Sequence, residues 1–357
     1  MHETDTSKTV AYFLSFIGPN YSRSSTLFNF KSVQIEKKYL QVSSKQLRLI
    51  IQLTRLKREL EDSSAIVIMS PAHKITFLTK LISGKKVILD AGWPLTDGVI
   101  SRGFKKSYFL NLIKAYILDF TSFHAADLVL AETIVQSTRI RKMFFLSRKK
   151  IKVSYTGLNE NAFQVNKQET LIIQNLKTKL NMNPRAINVL FRGKVNNESG
   201  IDTIISSAQE LKDETNFIFI TGSNCTLNNL PANCFQLSDV SESEMAQIYD
   251  LADVALGQIS KHRRLKYTIP HKAFEAAYFA KCYLTPKSQG ILEIFSQNEC
   301  FFLNEVSLEE LNSSLRALAK RAIREDFQNK ISKVYHEKIS QHMINSSFEN
   351  MLIHYSK

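Results

Sequence analysis

The chain has 357 residues, 44% hydrophobic and 22% charged, which suits a folded protein of two ordinary domains and excludes wholesale disorder. Eleven glycines and seven prolines exclude collagen-like and linker-rich designs, and four scattered cysteines without a Cys-x-x-Cys pair argue against a disulfide scaffold or structural zinc. The net charge of +14 is uneven: residues 1–160 hold 25 Lys and Arg against 12 Asp and Glu, whereas residues 161–357 hold 22 against 21.

Such asymmetry points to a polyanionic surface facing the first half, either nucleic acid or an anionic leaflet. No nucleic-acid-binding module is visible, so a basic nucleic-acid-binding protein ranks low and no nucleic-acid partner is expected. Glu3 and Asp5 stand where a secretion signal needs positive charge. The strongest transmembrane candidate, Tyr108–Phe120, is short and interrupted by Lys114 and Asp119, so no span is expected.

Taken in chain order, the apolar runs Val10–Ile17, Ala65–Met69, Lys86–Leu89, Leu128–Ala131 and Ile151–Ser154 read as strands. Helical patterns near 43–61, 72–82, 104–120 and 134–145 lie between them. A second series runs through Ala186–Phe191, Phe217–Thr221, Val254–Leu256, Cys282–Thr285 and Phe301–Leu303. Its helices are expected near 201–211, 242–251, 270–279 and 308–322. Alternating strands and helices, twice over, predict α/β architecture with two doubly wound sheets. The expected divisions are a basic domain over 1–165, a linker over 166–184, a second domain over 185–330 and terminal helices over 331–357. Those helices are expected to return to the first domain.

Gly-x-Gly-x-x-Gly after a strand, Gly-x-x-x-x-Gly-Lys-Ser/Thr, Asp-x-Asp and Gly-x-Ser-x-Gly are all absent. Their absence argues against dinucleotide oxidoreductases, P-loop NTPases, metal-bridged sugar transferases and serine hydrolases respectively. Two segments carry more. In YTIPHKAFEAAYFAKCYLTPKSQGILEI, from Tyr267, Pro270 suits a helix start and Glu275 sits in an apolar helix. That carboxylate is a ligand's hydrogen-bond acceptor, a residue on a thin solvent stripe, or one paired with Lys272. In NVLFRGKVNNESGIDTII, from Asn188, Lys194 follows a strand and Ser199-Gly200 precedes a helix, which is either an anion site or an ordinary turn. FIFITGSN ends another strand at Gly222, with the same ambiguity.

Together these segments resemble the C-terminal half of family-4 retaining glycosyltransferases, whose GT-B fold has two facing Rossmann-like domains with a cleft between them. FRGKVNNESG, FITGSN, IPHKAFEAA and AKCYLTPKSQGILE follow the family's order and intervals. FHAADLVLAETIVQSTRI and KIKVSYTGLNENAF resemble the family's passage into its linker. The resemblance implies donor binding by Gly18, Lys194, Ser199, Gly200, Gly222, Lys272 and Glu275. Lys194 stands where the family has Arg, Ser199 where it has Lys, and Tyr267 where it has the first Glu of its pair. Gly92 occupies the position of an N-domain His, leaving Asp90 or His73 as catalytic candidates. The implied reaction moves a sugar from a nucleotide-sugar donor to a lipid-linked saccharide in bacterial surface polysaccharide assembly, with no metal or cofactor. The setting expected is cytoplasmic and peripheral on the inner membrane face, with Arg139, Arg141 and Lys142 turned to anionic lipid. A non-catalytic binding protein of the same fold is the alternative.

Overall fold

Short β-branched runs separated by helices can pair in parallel only through crossovers, and the computed structural model has this arrangement twice. It describes residues 9–19, 22–103, 107–164, 182–223 and 225–356. One unit comprises Met1–Gly157 with Gln341–Lys357, the other Leu158–Ser340.

In the first unit, strands β1 (Thr9–Ser15), β2 (Ile35–Gln41), β3 (Ala65–Ile68), β4 (Val87–Gly92), β5 (Leu128–Ala131) and β6 (Ile151–Val153) form a sheet of order β2-β1-β3-β4-β5-β6. Every pairing is parallel. Its helices are α1 (Ser22–Phe28), α2 (Gln46–Arg55), α3 (Lys57–Glu61), α4 (Thr76–Ser83), α5 (Leu95–Ser101), α6 (Tyr108–Ala125) and α7 (Ile134–Met143). All residues of β3, β4 and β5 are buried, as parallel strands covered on both faces must be.

The second unit has β7 (Ile187–Arg192), β8 (Thr215–Thr221), β9 (Cys234–Ser238), β10 (Val254–Leu256), β11 (Cys282–Pro286) and β12 (Phe301–Leu303), in the order β12-β11-β10-β7-β8-β9. Helices α8 (Ile201–Glu210), α9 (Glu242–Leu251), α10 (His271–Tyr278), α11 (Leu308–Leu318) and α12 (Arg321–Val334) connect or follow them. After a π-helical turn over Tyr335–Ile339, the last helix, α13 (Gln341–Ser356), belongs to the first unit. There Phe348 meets Phe13 and Phe30 edge-on, at 6.3 and 5.8 Å between ring centres. The division at Ser340 leaves the expected break at 330/331 inside α12. Of the expected linker, all but 182–184 lies outside the described residues.

The expected strands are present; β2 and β9, one at an edge of each sheet, are additions. β2 reads IEKKYLQ, and charges on an edge strand protect it from pairing with another chain while hiding it from an apolar-run search. The helix expected from Pro270 starts one residue later, with Pro270 as its extended cap.

Strand order reverses between β7 and β10 in the second unit, and between β1 and β3 in the first. In open α/β sheets the crevice at the carboxyl ends of such a reversal is where ligands bind.

Gly200 is fixed by packing. Its φ is +68°, and a Cβ there would lie 1.7 Å from the Ile259 carbonyl oxygen. Gly200→Ala is expected to lower stability by roughly 1–3 kcal/mol from backbone strain alone, with the clash added. Gly222, with nothing within 4 Å of its position, is expected to accept Ala within about 0.5 kcal/mol. Thermal unfolding of the two variants checks the contrast.

Candidate active site

The reversal in the second unit gathers a compact polar group. β7 ends at Arg192, and its guanidinium pairs with Glu275 on α10, whose side chain is fully buried. The same carboxylate accepts hydrogen bonds from the Tyr249 hydroxyl at 2.9 Å and from His271 Nδ1 at 2.9 Å. A buried carboxylate stays charged only when paired and hydrogen-bonded, and Glu275 has three donors. It therefore does not pair with Lys272, nor does it lie on a solvent stripe. It braces β7, α9 and α10 at the sheet's carboxyl end.

Lys272, one residue after His271, lies on the other side of the same strand end. Its Nζ sits 3.9 Å from the centre of the Phe191 ring and 3.4 Å from Gln258 Oε1. Gly193 has φ +144°, and a Cβ on it would approach Lys272 Nζ to 3.4 Å, so the glycine leaves the amine its place. Burial first, and the Arg192 charge second, bring the Lys272 pKa down to about 7. Lys194 is exposed beyond Gly193.

Gln258 also lines a cavity of about 690 Å³ at the ends of β10, β11 and β12. Lys261, His262, Arg263, Lys266 and Lys287 line it against one carboxylate, Glu305. That surface suits an anion. Gly222 is exposed after β8. Ser199 is not a phosphate ligand here: its buried hydroxyl donates to the Asn196 carbonyl at 2.7 Å and closes the turn before α8. Gly200 serves the approach of that turn to Ile259.

In the first unit, Gly18 follows β1 in a half-exposed loop. Asp90, near the end of β4, is fully buried and pairs with Arg23 Nε of α1 at 2.6 Å. Arg23 Nη1 also donates to the Ser154 carbonyl at 2.9 Å. Asp90 Oδ2 and Arg23 Nη2 are both buried without a hydrogen-bond partner among the described residues. His73 is a core residue: Nε2 lies 2.6 Å from the Ala91 carbonyl and Nδ1 3.4 Å from Asp119. With both ring nitrogens held, the imidazole has none left for a substrate.

The basic trio separates. Arg139 grips Asp97 through a two-point ion pair, with Nε 3.0 Å from each carboxylate oxygen, and is not free for lipid. Arg141 is half-buried and only Lys142 is exposed. Residues missed by sequence reading are Arg192, Tyr249, His271 and Gln258. The unexplained charge of Glu275 was the one signal that partners must exist.

No protein-family model matches the chain, and no curated protein matches it. Solved structures do. HepE of Anabaena in complex with UDP-glucose is 13% identical, with 97% of this chain and 99% of that one covered and a TM-score of 0.74. A glycosyltransferase from Rickettsia africae is 12% identical, with coverage of 98% and 99% and a TM-score of 0.69. The catalytic domain of starch synthase IV from Arabidopsis thaliana, bound to ADP and acarbose, is 10% identical, with coverage of 98% and 99% and a TM-score of 0.68. At these identities the likeness is one of fold, and the fold is GT-B.

Asp90→Asn would leave the Arg23 charge buried without its counter-ion. Breaking such a pair typically costs about 3–5 kcal/mol. The expected result is a clear fall in the thermal midpoint, and an unchanged midpoint would show that the pair is not structural.

Proposed function

We propose that this protein is a retaining glycosyltransferase of the family-4 type. It moves a sugar from a nucleotide-sugar donor to a lipid-linked saccharide in bacterial surface polysaccharide assembly, such as capsule or lipopolysaccharide. The observation that carries the reading is the coincidence of the β7/β10 strand reversal with Lys272, Gly193-Lys194 and the basic cavity beside Gln258. HepE, of like fold, was solved with UDP-glucose. The strongly basic first half supports a cytoplasmic, peripheral place at the inner membrane face.

In this reaction the bond between the anomeric carbon and the donor phosphate oxygen breaks while the acceptor oxygen bonds to that carbon on the same face. The acceptor's proton passes to the departing phosphate oxygen. The chain's task is to meet the negative charge that grows on the diphosphate. Lys272, fixed and desolvated, and Lys194, mobile and exposed, supply the cations, and the proposal requires no metal. Arg192 is held by Glu275 and maintains the positive field around them. Glu275 thereby acts as a positioning residue. The engagement of Glu275 with three internal donors favours a second reading, a GT-B-fold binding protein without catalysis.

Thermal shift with UDP, GDP, ADP and their sugars, in EDTA, tests donor binding. Stabilisation by one diphosphate is the expected result, and no shift with any of them overturns the reading. Binding without donor hydrolysis or transfer would select the non-catalytic alternative. Lys194→Ala should weaken nucleoside diphosphates more than the free nucleoside.

Lys272 gives a sharper test. With its folded pKa near 7 against 10.5 for the free side chain, the unfolded chain binds more protons between those values, and folding stability rises with pH across that window. The diphosphate of a nucleotide-sugar does not itself titrate in this range and favours the ammonium, so its binding should take up more protons at about pH 8 than at about pH 6. Calorimetry in buffers of different ionisation enthalpy reads the uptake. Lys272→Met should abolish it.

A further inference from the structure

The longest helix of the first unit carries a face that the donor chemistry does not use. On α6, Ala115, Asp119, Ser122 and Phe123 are buried, whereas Leu110, Ile113, Ile117 and Phe120 are exposed, at 65, 56, 55 and 37%. Their spacing of three and four residues puts them on one stripe. The neighbouring α4 extends it: Phe77 and Leu81, 57 and 69% exposed, line an apolar groove of about 500 Å³ together with Phe120. Contiguous exposed apolar surface of this kind marks an interaction site.

Basic groups flank the stripe. Lys114 is exposed beside Ile113. At the far end of α6, the loop after α7 is tied down by His124 Nε2 to the Phe144 carbonyl at 3.0 Å and by Lys150 Nζ to the His124 carbonyl at 2.6 Å. That anchor leaves Phe145, Arg148 and Lys149 exposed next to the helix. Phe145 is 79% exposed and has φ 54°, a left-handed backbone that is uncommon for a bulky residue. Three carboxylates, on α5, on α6 and just before β5, are engaged internally: Asp97 holds Arg139, Asp119 accepts from Thr96, and Asp127 holds Lys80.

We propose that the α4–α6 face, with Phe145, docks in the interfacial layer of an anionic lipid bilayer. The charge pattern selects this occupant. Two copies meeting through the face by a two-fold axis would oppose Lys114, Arg148 and Lys149 to one another. A bilayer carrying acidic headgroups accepts the stripe and the cations together. Among the described residues no helix is long and apolar enough to cross a membrane, and α6 keeps its other side in the core. The helix therefore lies along the surface. The inference deepens the peripheral location proposed above and rests on that reading for its biological setting, though not for its measurement.

The test is co-sedimentation of the full chain with phosphatidylcholine vesicles, with and without phosphatidylglycerol. Binding to the acidic vesicles, weakened but not abolished by salt, is expected. Ile113→Glu with Ile117→Glu should reduce it at least tenfold, and Phe145→Ala, which removes only an exposed ring, severalfold. Circular dichroism and the nucleotide thermal shift should match the parent. Parent-like vesicle binding by both variants overturns the proposal, as does no binding by the parent. A parent dimer that the double variant converts to monomer assigns the face to a second copy and also overturns it. Nucleotide binding reports separately: vesicle binding without any nucleotide shift sinks the transferase reading alone, and the reverse pattern sinks the docking face alone.

Discussion

A single buried carboxylate sets the electrostatics of the second unit. Glu275 has no exposed surface, and an unpaired charge there would cost several kcal/mol in lost hydration. The fold meets that demand by turning Arg192, Tyr249 and His271 inward from three elements. The consequence reaches the neighbouring residue. Lys272 feels burial first and, with the Arg192 guanidinium held at the strand end, a like charge second, and its pKa falls to about 7. A brace for one anion thus prepares a cation that is short of a counter-charge.

The first unit uses the same device with a different finish. Asp90 and Arg23 join β4 to α1 and, through Ser154, to the end of β6. Both pairs lie at the carboxyl ends of parallel strands, where connecting loops converge and backbone groups need partners. In the second unit each Glu275 oxygen has a donor. In the first, one Asp90 oxygen and one Arg23 nitrogen have no hydrogen-bond partner among the described residues. Buried polar atoms of this kind are rare in folded proteins, and they make the Arg23–Asp90 pair the more sensitive of the two to a change in its surroundings.

The sequence made the centre of each sheet legible because strands covered on both faces must be continuously apolar, as AIVI and LVLA are. It hid the edge strand β2 for the converse reason, since β2 carries Glu36, Lys37 and Lys38. Glu275 was conspicuous as a charge in an apolar helix, but its partner Arg192 lies 83 residues away, beyond the reach of any local pattern. His73 and Ser199 misled because their types suit catalysis or anion binding. Their hydrogen bonds go instead to backbone carbonyls close by. Gly200, expected at the donor site, has its φ and its close approach to Ile259 as a packing reason to be glycine.

The charge asymmetry follows from what each unit must do with its cations. In the second unit Arg192 and Lys272 are partly or wholly buried and held by specific partners. In the first, charge and exposed apolar side chains share one surface, and attraction there acts through solvent. Screening separates the two. At physiological ionic strength exposed charges lose their influence beyond about 8 Å, whereas buried pairs are screened far less. Ionic strength therefore acts on the field of the first unit's surface while leaving the Arg192–Glu275–Lys272 arrangement nearly unchanged.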